Sequence, residues 1–529
     1  MLHSFRAHKG VKLLERPHGM LRKVPLADVV AHNMVRNPRR RQALDAHISD
    51  YYWHRRMING FAIKTILAEV EKPKQKKTYL TTRGNAILNG ASGTRARNDL
   101  GKTFEFSEER IDYFRKTYCD LVDPSSIKLY ASPTKKFWIE SKNYHNFFHF
   151  LTESFHLAFS SSLAQMNVQE IKFISKSKRV GDFVKKWVEE CQEIIGDDVK
   201  IETLISPDLD NATSILLPMS CEHLLYQFLG DHHELIEAAR PAGKTWTGYD
   251  GIPHPVKILQ FNSYDESLEH FRCKVIDLAQ RKVSKTWADK IYAIRSKSLL
   301  RSRTMKGEEA LIEELTKQGF EVVCFEGISP LEQVKCISGA DCVVMQHGAG
   351  MTNMLFAKST AHVFELGTFQ TGFARWRDFI RISQVSGCHY HHIFLDMEYP
   401  NENTDPVFAT DGLIAPVISE EDVERLVLLI RSEMKDKRPG VLTGLLRHCE
   451  FFMDRGAYKH AYRLLDANAS FFESTADYWN QRGMLAEACQ HKEQALDAFE
   501  KAQSIRVCGD SQCGTDILAP SFAHERTVV

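Results

Sequence analysis

The sequence contains no apolar run long enough to cross a membrane. In 529 residues no such run approaches the roughly 20 apolar residues that a spanning helix needs. Charge of either sign is not in excess, because 69 Lys and Arg residues face 68 Asp and Glu residues, for a net charge of +1. This balance does not favour a polyanion as partner. The basic first residues lack the continuous apolar segment of a secretory signal. We therefore expect a cytoplasmic location and no nucleic-acid partner.

Closely spaced cysteines are also lacking. Twelve cysteines are scattered along the chain, and in a long chain without an export signal such residues are usually reduced thiols. We therefore expect reduced thiols in this chain. The H-E-x-x-H motif of metalloproteases is missing as well.

Alternating strand and helix patterns dominate the chain from about residue 125 onward. They form two successive blocks, which predicts parallel sheets with crossover helices. The length suggests about three domains. We expect an α/β protein with two Rossmann-like, doubly wound domains and the site in the cleft between them. The predicted segments are a basic N-terminal segment at 1–60, a first domain at 61–275, a second at 276–435, a helical region at 436–507 and a mobile tail at 508–529.

The N-terminal segment carries a cluster of four arginines, Arg36, Arg39, Arg40 and Arg41. The pattern favours a solvated helical surface. The alternative is a weak contact with a polyanion or with a membrane surface, such as the inner face of the membrane.

The helical region resembles a tetratricopeptide repeat. Trp479, Gly483, Ala495, Phe499 and Ala502 fall at the spacings of that repeat, although Arg482 stands where the repeat has leucine. One and a half repeats rarely stand alone, so we expect this region to dock on the rest of the chain or on a protein partner.

The stretch CVVMQHGAGMTNMLF, residues 342–356, is the strongest local signal of a site. An apolar strand ends at His347 and opens into Gly348-Ala349-Gly350, and Thr352 and Asn353 begin a short helix. Backbone N–H groups at a helix start form a site for phosphate oxygens. One alternative is a dinucleotide turn with Glu365 on the ribose, although Asn353 occupies the place of its third glycine. The other is a tight connection without a ligand.

This stretch and its surroundings resemble the glycosyltransferase family 61 group. The matching pieces are KIYAIRS with Arg295 and Arg301, then GFEVVCFEG, then EQVKCISGADCVVMQHGAGMTNMLF and HVFEL. A second match lies upstream in FWIESKNYHNFFHFLTESF, where Asn146 to Phe150 follow the family pattern. The resemblance covers about 130–395. It departs from the family at Ala357-Lys358-Ser359-Thr360, which replaces Pro-Gly, and at Ile294-Arg295, which replaces Ser-Arg.

The resemblance implies a GT-B-type enzyme, an inverting and metal-independent glycosyltransferase with no cofactor. The expected donor is a UDP-sugar, and the expected acceptor is a polysaccharide, such as a capsular one, or a protein. Basic side chains and a helix N-terminus would neutralise the leaving diphosphate. Arg303 is a weaker candidate for this clamp, as a loop charge. The expected donor-binding residues are Arg295, Arg301, His347, Gly348, Ala349, Gly350, Thr352, Asn353 and Glu365.

The candidate catalytic base lies in the upstream motif. His145, His149, Glu153 and His156 follow one another at spacings that place them on one helical face. A neutral histidine suits the removal of a hydroxyl proton, so we assign His149 as the base, with Glu153 as its support or its substitute. A zinc site at His145, His149 and Glu153 is the alternative.

Two further motifs receive no role in this interpretation. Asp208-Leu209-Asp210 looks like a metal-binding D-x-D but lies in a loop beside Pro207. His389, His391 and His392 would point to opposite faces of a strand, so we interpret them as cleft-edge or surface residues. The rival to an enzyme is an inactive glycosyltransferase-like scaffold that binds partners through its helical region.

Overall fold

The structure, a computed structural model, describes most of the chain. The described residues are 10–14, 21–56, 60–76, 79–83, 85–86, 132–141, 144–164, 166–175, 180–196, 200–204, 212–219, 262–296, 304–399, 404–407 and 411–509.

The described strands number nineteen in chain order. They are β1 (Val11–Leu13), β2 (Leu21–Val24), β3 (Val29–Asn33), β4 (Gly60–Ile63), β5 (Ile66–Glu71), β6 (Lys74–Lys76), β7 (Tyr79–Thr82), β8 (Asn85–Ala86), β9 (Lys136–Ser141), β10 (Glu170–Ser175), β11 (Lys200–Leu204), β12 (Ser214–Met219), β13 (Ser263–Asp265), β14 (Lys290–Ile294), β15 (Glu321–Cys324), β16 (Cys342–Gln346), β17 (His362–Thr368), β18 (His389–Met397) and β19 (Pro416–Val417).

The helices of the described residues alternate with these strands until the chain becomes wholly helical. The α-helices are α1 (Pro38–Arg56), α2 (Phe147–Glu153), α3 (Ser161–Ala164), α4 (Asp182–Glu190), α5 (Gln192–Ile195), α6 (Ser267–Lys282), α7 (Glu308–Lys317), α8 (Pro330–Gly339), α9 (Phe369–Ala374), α10 (Ile380–Ser386), α11 (Glu420–Glu433), α12 (Gly440–Met453), α13 (Tyr458–Phe472), α14 (Ala476–Ala488) and α15 (Lys492–Gly509), and 3₁₀ helices span Phe155–Phe159, Phe325–Gly327, Ala349–Phe356 and Trp376–Phe379.

The larger sheet has a doubly wound core. Its strand order is β15-β14-β16-β17-β18, and all of these neighbours are parallel. β16 and β17 are buried along their whole length, as expected for strands covered on both faces. The chain leaves β14 in one direction to form β15 and later returns to the other side to form β16. In such sheets the crevice at this reversal, outside the carboxyl ends of the strands, is where ligands bind.

The second large sheet has the order β1-β5-β12-β9-β10-β11. β9, β10 and β11 are parallel, and β12 runs parallel to β9 on its other side. β5 and β1 extend this edge in the antiparallel direction. α2 follows the carboxyl end of β9, so it begins at the reversal point of this sheet. The α/β class with parallel sheets is therefore confirmed.

The N-terminal segment is built into the larger sheet. β3 pairs in parallel with β18, with Val30 opposite His391 and His32 opposite Ile393. Three of the four clustered arginines form ion pairs within the chain: Arg36 with Glu421 and Asp422, and Arg39 and Arg40 with Asp405. These ion pairs therefore connect Arg36 and the start of α1 to other parts of the protein.

The C-terminal helices pack onto the same body. Ala27, which precedes β3, lies in one apolar cluster with Leu445 and Cys449 of α12. The Asp28 N–H donates to the Gly440 carbonyl at 3.1 Å, and the Gly440 N–H donates to the Ser359 carbonyl at 2.9 Å. The likeness of this region to a tetratricopeptide repeat stays a prediction. Among the described residues, no helix has both the length and the apolar character that a membrane span requires.

Candidate active site

Arg295 and the glycine turn meet at the reversal point of the larger sheet. Arg295 directly follows β14, and Gly348 follows β16, the strand beside it. The two are so close that a Cβ added to Gly348 would lie 3.1 Å from Arg295 Nη2. The structure thus brings together a cation and a glycine backbone that are 53 positions apart (348 − 295) in the printed sequence.

The guanidinium of Arg295 is only partly used within the protein. Its Nη1 is buried and has no hydrogen-bond partner among the described residues. Burial lowers the pKa of Arg295 from its ordinary value, and Glu326 opposes this shift. A buried charged donor without a hydrogen-bond partner destabilises the folded protein, so an anion bound at Arg295 Nη1 would be stabilising.

The 3₁₀ helix Ala349–Phe356 places its residues on two sides. Gly350 is exposed, and an added Cβ there would meet no described atom within 4 Å. Thr352 and Asn353 are buried instead; the Thr352 hydroxyl donates to the Ala349 carbonyl at 2.7 Å, and the Asn353 amide donates to Gln333 at 3.1 Å. The predicted phosphate ligands Thr352 and Asn353 are therefore engaged within the protein, and the exposed part of this turn is the backbone at Gly350.

His347 is held by a buried acid. Its Nδ1 is hydrogen bonded to Glu365, which has no exposed surface. Glu365 also accepts from the Tyr390 hydroxyl and lies 2.9 Å from His392 Nδ1. Register explains this arrangement, because Glu365 of β17 lies opposite Met345 of β16 on one side and His392 of β18 on the other.

The carboxylate of Glu365 stays ionised in this setting. Burial alone would raise the pKa of Glu365, but the neighbouring His392 and His347 outweigh burial and lower that pKa below its ordinary value. Its oxygens are occupied by three side chains, so a ribose contact would require one of these bonds to open. The geometry instead favours a structural role for Glu365, as a buried acid that orients His347.

A second His–Glu pair lies on α2, across the cleft. His149 Nδ1 lies 2.8 Å from Glu153 Oε1, and Arg381 Nη2 lies 3.8 Å from the same oxygen. Asn146 is the N-cap of α2 and accepts from the His149 N–H at 3.4 Å. This cap explains why asparagine precedes the histidine by three positions. His149 is about one quarter exposed, so its ring can meet a substrate.

Two of the four predicted residues on the α2 face lie elsewhere. α2 begins at Phe147 and ends at Glu153, so His145 precedes it on the surface. The chain then tightens into the 3₁₀ helix Phe155–Phe159, which buries its apolar side chains. His156 consequently turns into the core, where Nδ1 bonds the Ser267 hydroxyl at 2.6 Å. The prediction of one continuous helix is wrong here, and the zinc alternative loses its common face.

Two aromatic rings join the histidine pairs. The ring of Phe148 lies 5.3 Å from His149 and 5.4 Å from Phe379, and Phe379 lies 5.5 Å from His347, measured between ring centroids. Arg381 stacks over Phe148 at 5.0 Å. Phe148 and Phe379 therefore connect His149 of α2 with His347, which follows β16.

Asp378 is an acid of this site that sequence reasoning missed. It lies 3.5 Å from Arg375 and within electrostatic reach of His347 and Arg381. Burial raises the pKa of Asp378, and Arg375 and His347 oppose that shift. Arg381, Tyr390 and His392 were missed too. For His392 the sequence held a signal, because it is a polar residue in the strand after HVFEL and that strand can pair with the one that carries Glu365. Arg381 and Asp378 follow no motif.

Some predicted residues lie outside the described part of the chain. These are Arg301, Arg303 and the Asp208–Asp210 motif. The prediction that His389, His391 and His392 are surface or cleft-edge residues is wrong, because all three are fully buried. The reason is the N-terminal strand β3, which covers β18 and was not predicted to join this sheet.

Comparison with known proteins agrees with the resemblance seen in the sequence. The family model described as Glycosyltransferase 61 matches residues 147–364. This range runs from the first residue of α2 to Phe364, beside Glu365, and so contains both His149 and the glycine turn. No curated protein matches the chain.

Proposed function

We propose that this protein is an inverting, metal-independent glycosyltransferase that uses a UDP-sugar donor, since its residues 147–364 match the model of the Glycosyltransferase 61 family. The observation that supports this most directly is the partly unpaired guanidinium of Arg295 against the backbone of Gly348 at the reversal point of the larger sheet. The GT-B-like arrangement would place the donor on this sheet and the acceptor on the sheet that carries α2.

The diphosphate would lie between Arg295 and the first N–H groups of the 3₁₀ helix. A planar guanidinium can bind two phosphate oxygens, and the first N–H groups of any helix lack partners within it. His347, oriented by Glu365, would contact the donor from the floor of the site. These groups supply the positive charge that a departing nucleoside diphosphate needs, which is why the proposal requires no metal.

The proton of the acceptor hydroxyl would pass to His149. Its Nδ1 faces Glu153, so the proton would be accepted at the other ring nitrogen, Nε2. Glu153 would stabilise the resulting imidazolium, and Arg381 Nη2 lies 3.8 Å from the same carboxylate. Attack by the hydroxyl on the anomeric carbon, opposite the leaving diphosphate, forms the new glycosidic bond with inversion. The acceptor would be a growing polysaccharide or a protein.

The test is a thermal shift with UDP, GDP, CMP, ADP and NAD, each with and without EDTA. We expect a shift with UDP that EDTA does not remove, since a ligand at about 100 times its Kd stabilises a fold by about 2.7 kcal/mol. Arg295→Ala should weaken UDP binding by about 10- to 100-fold, because a hydrogen bond to a charged group contributes about 1.5–3 kcal/mol. Each sample with EDTA is compared with its own EDTA baseline.

Gly350→Ala provides a matched variant in the same turn. The added methyl group meets no described atom, so the melting temperature without ligand should stay unchanged. It would enter the space assigned to the diphosphate, so UDP binding should weaken. A shift with NAD alone, or equal UDP shifts in wild type and both variants, would refute the donor site.

A further inference from the structure

A group of histidines lies on the face of the larger sheet opposite the candidate active site. His391 and His392 are neighbours in β18 and point to opposite faces. His392 joins Glu365 on the site's face, whereas His391 faces His32 of β3 and His362 of β17. His32 and His391 share a face because Val30 lies opposite His391 and His32 lies opposite Ile393. His32, His362 and His391 have no role in the proposed reaction.

The hydrogen bonds determine where the lone pair of His391 lies. The Asp436 carbonyl can only accept, so His362 Nε2 at 2.8 Å carries the proton. In a neutral ring His362 Nδ1 then accepts, and His391 Nε2 at 3.0 Å must donate to it. This leaves His391 Nδ1 with its lone pair, and it points at His32 Nε2, 3.3 Å away.

An acid completes the group. Glu433, the last residue of α11, brings a carboxylate oxygen to the two nitrogens, and the three candidate ligand atoms of His32, His391 and Glu433 lie within 4.8 Å of one another. Tetrahedral zinc with bonds of about 2.0–2.2 Å separates its ligand atoms by about 3.4 Å. The His32–His391 distance already has this value.

We propose that His32 Nε2, His391 Nδ1 and Glu433 bind a structural Zn²⁺ ion, with water as the fourth ligand. Two imidazoles and a carboxylate are ligands that zinc accepts readily, whereas Mg²⁺ and Ca²⁺ require oxygen ligands. The chain from His391 through His362 to the Asp436 carbonyl is the outer hydrogen bonding that fixes the tautomer of a metal-binding histidine.

The charges around the group are compatible with a dication. Arg447 Nη2 lies 3.1 Å from Glu433 Oε2, and Arg447 Nη1 lies 3.6 Å from Asp28 Oδ1. A carboxylate has two oxygens, so Glu433 can keep Arg447 on one and bind the metal with the other. Asp28 balances the guanidinium. His391 is fully buried, but His32 and Glu433 are half-buried, which gives an ion access from their side.

The ion would tie together three segments that are distant in sequence. These are β3 near the N-terminus, β18 in the sheet and the end of α11, which directly precedes the C-terminal helices. The role is structural, since the site lies on the face opposite the reaction.

The test uses untagged full-length protein, stripped with EDTA and dialysed, then titrated with Zn²⁺ alone. We expect about one bound zinc per chain by elemental analysis, and a rise in melting temperature that Mg²⁺ does not reproduce. His32→Gln and Glu433→Gln should each weaken Zn²⁺ binding by at least about tenfold. His491→Gln, which changes an exposed histidine elsewhere, should bind as wild type does.

Either ligand variant suffices if the other fails to fold, and melting in EDTA shows which of them is folded. No zinc-dependent shift in the wild-type protein, or an equal shift in the folded ligand variants, would overturn the proposal. UDP binding provides an independent readout, because loss of the zinc site should leave the donor site on the other face able to bind.

Discussion

At the scale of single residues, the candidate site contains two histidine–glutamate pairs. His149 with Glu153 and His347 with Glu365 are both imidazoles whose Nδ1 faces a carboxylate. The pairs differ in exposure: His149 is about one quarter exposed, whereas His347 is 8% exposed and its acid is fully buried. The more accessible pair suits proton transfer with an acceptor, and the buried pair suits a fixed contact with the donor.

We expect His149→Gln to lower kcat by about 10²- to 10⁴-fold, the usual contribution of a general base, with little change in UDP affinity. Glutamine keeps a polar side chain of similar reach but cannot take up the proton. His347→Gln should show the opposite pattern and mainly weaken donor binding. Steady-state kinetics with varied donor, together with UDP titration, separates the two effects.

Asp378→Asn tests whether Asp378, and not His149, is the general base. Asp378 is a further acid of the site beside Glu153 and Glu365, and burial raises its pKa. If this variant loses kcat while His149→Gln keeps it, the base is Asp378.

Sequence reasoning selected the two histidines and the glycine turn as candidates at this scale and paired His149 with Glu153, but it missed the partners that are distant in the chain. Motifs reveal residues that stand close together in the chain, such as His149 and Glu153. Arg381 approaches Glu153 from 228 positions away (381 − 153), in a helix with no motif of its own. The sequence predicts a short helix that begins at Thr352 and Asn353, but the 3₁₀ helix begins earlier, at Ala349, and both side chains lie in the core.

At the scale of elements, the alternation of strands and helices was predictable because apolar runs and caps are local. α8 is an example. The Ser329 side chain accepts from the Glu332 N–H, the Glu332 side chain accepts from the Ser329 N–H, and Pro330 occupies the first turn. The partner of β3 was not predictable, since pairing between distant strands leaves no local pattern. The packing of α12 against the segment before β3 was not predictable either, and it depends on Gly444.

Gly444→Ala should loosen α12 from the segment before β3. An added Cβ would lie 2.6 Å from the Leu26 carbonyl oxygen and 3.0 Å from the Asp28 nitrogen. These are backbone atoms that cannot turn aside, so we expect a loss of about 1–3 kcal/mol in the free energy of unfolding. Hydrogen exchange should become faster for the Asp28 N–H, which donates to Gly440.

Gly339→Ala is the matched control for this substitution. Gly339 also lies in a helix, but an added Cβ there meets no described atom within 4 Å. Its exchange pattern should equal that of the wild type. Equal exchange at Asp28 in the Gly444→Ala protein would show that α12 is not held in this way.

At the scale of the whole molecule, a buried histidine makes stability depend on pH. His156 joins the 3₁₀ helix Phe155–Phe159 to Ser267 at the start of α6, and Ser267 in turn donates to Asp265 at 2.6 Å. Burial lowers the pKa of His156 to about 4, against 6.5 in the unfolded chain. Between these values the unfolded chain binds more protons than the folded one, so stability falls as pH falls.

We expect this one group to remove about 2–3 kcal/mol of stability between pH 7 and pH 4.5. His156→Gln cannot titrate, so its urea midpoint should fall less over the same range than that of the wild type. His491→Gln, at an exposed position, should follow the wild type. Parallel losses in the wild-type and His156→Gln proteins would assign the acid sensitivity to other groups.

The pairing of β3 with β18 also has a consequence for biosynthesis. His32 and His391 are 359 positions apart, so the first strand of this pair leaves the ribosome long before its partner is made. At a synthesis rate of about 5–20 residues per second, the wait is roughly 20–70 s. During that time the N-terminal strand has no sheet to join, and its hydrogen-bonding groups are open to chaperones and to strands of other nascent chains. The speed of translation between the codons of β3 and those of β18 therefore sets how long the strand β3 of each new chain is exposed to aggregation.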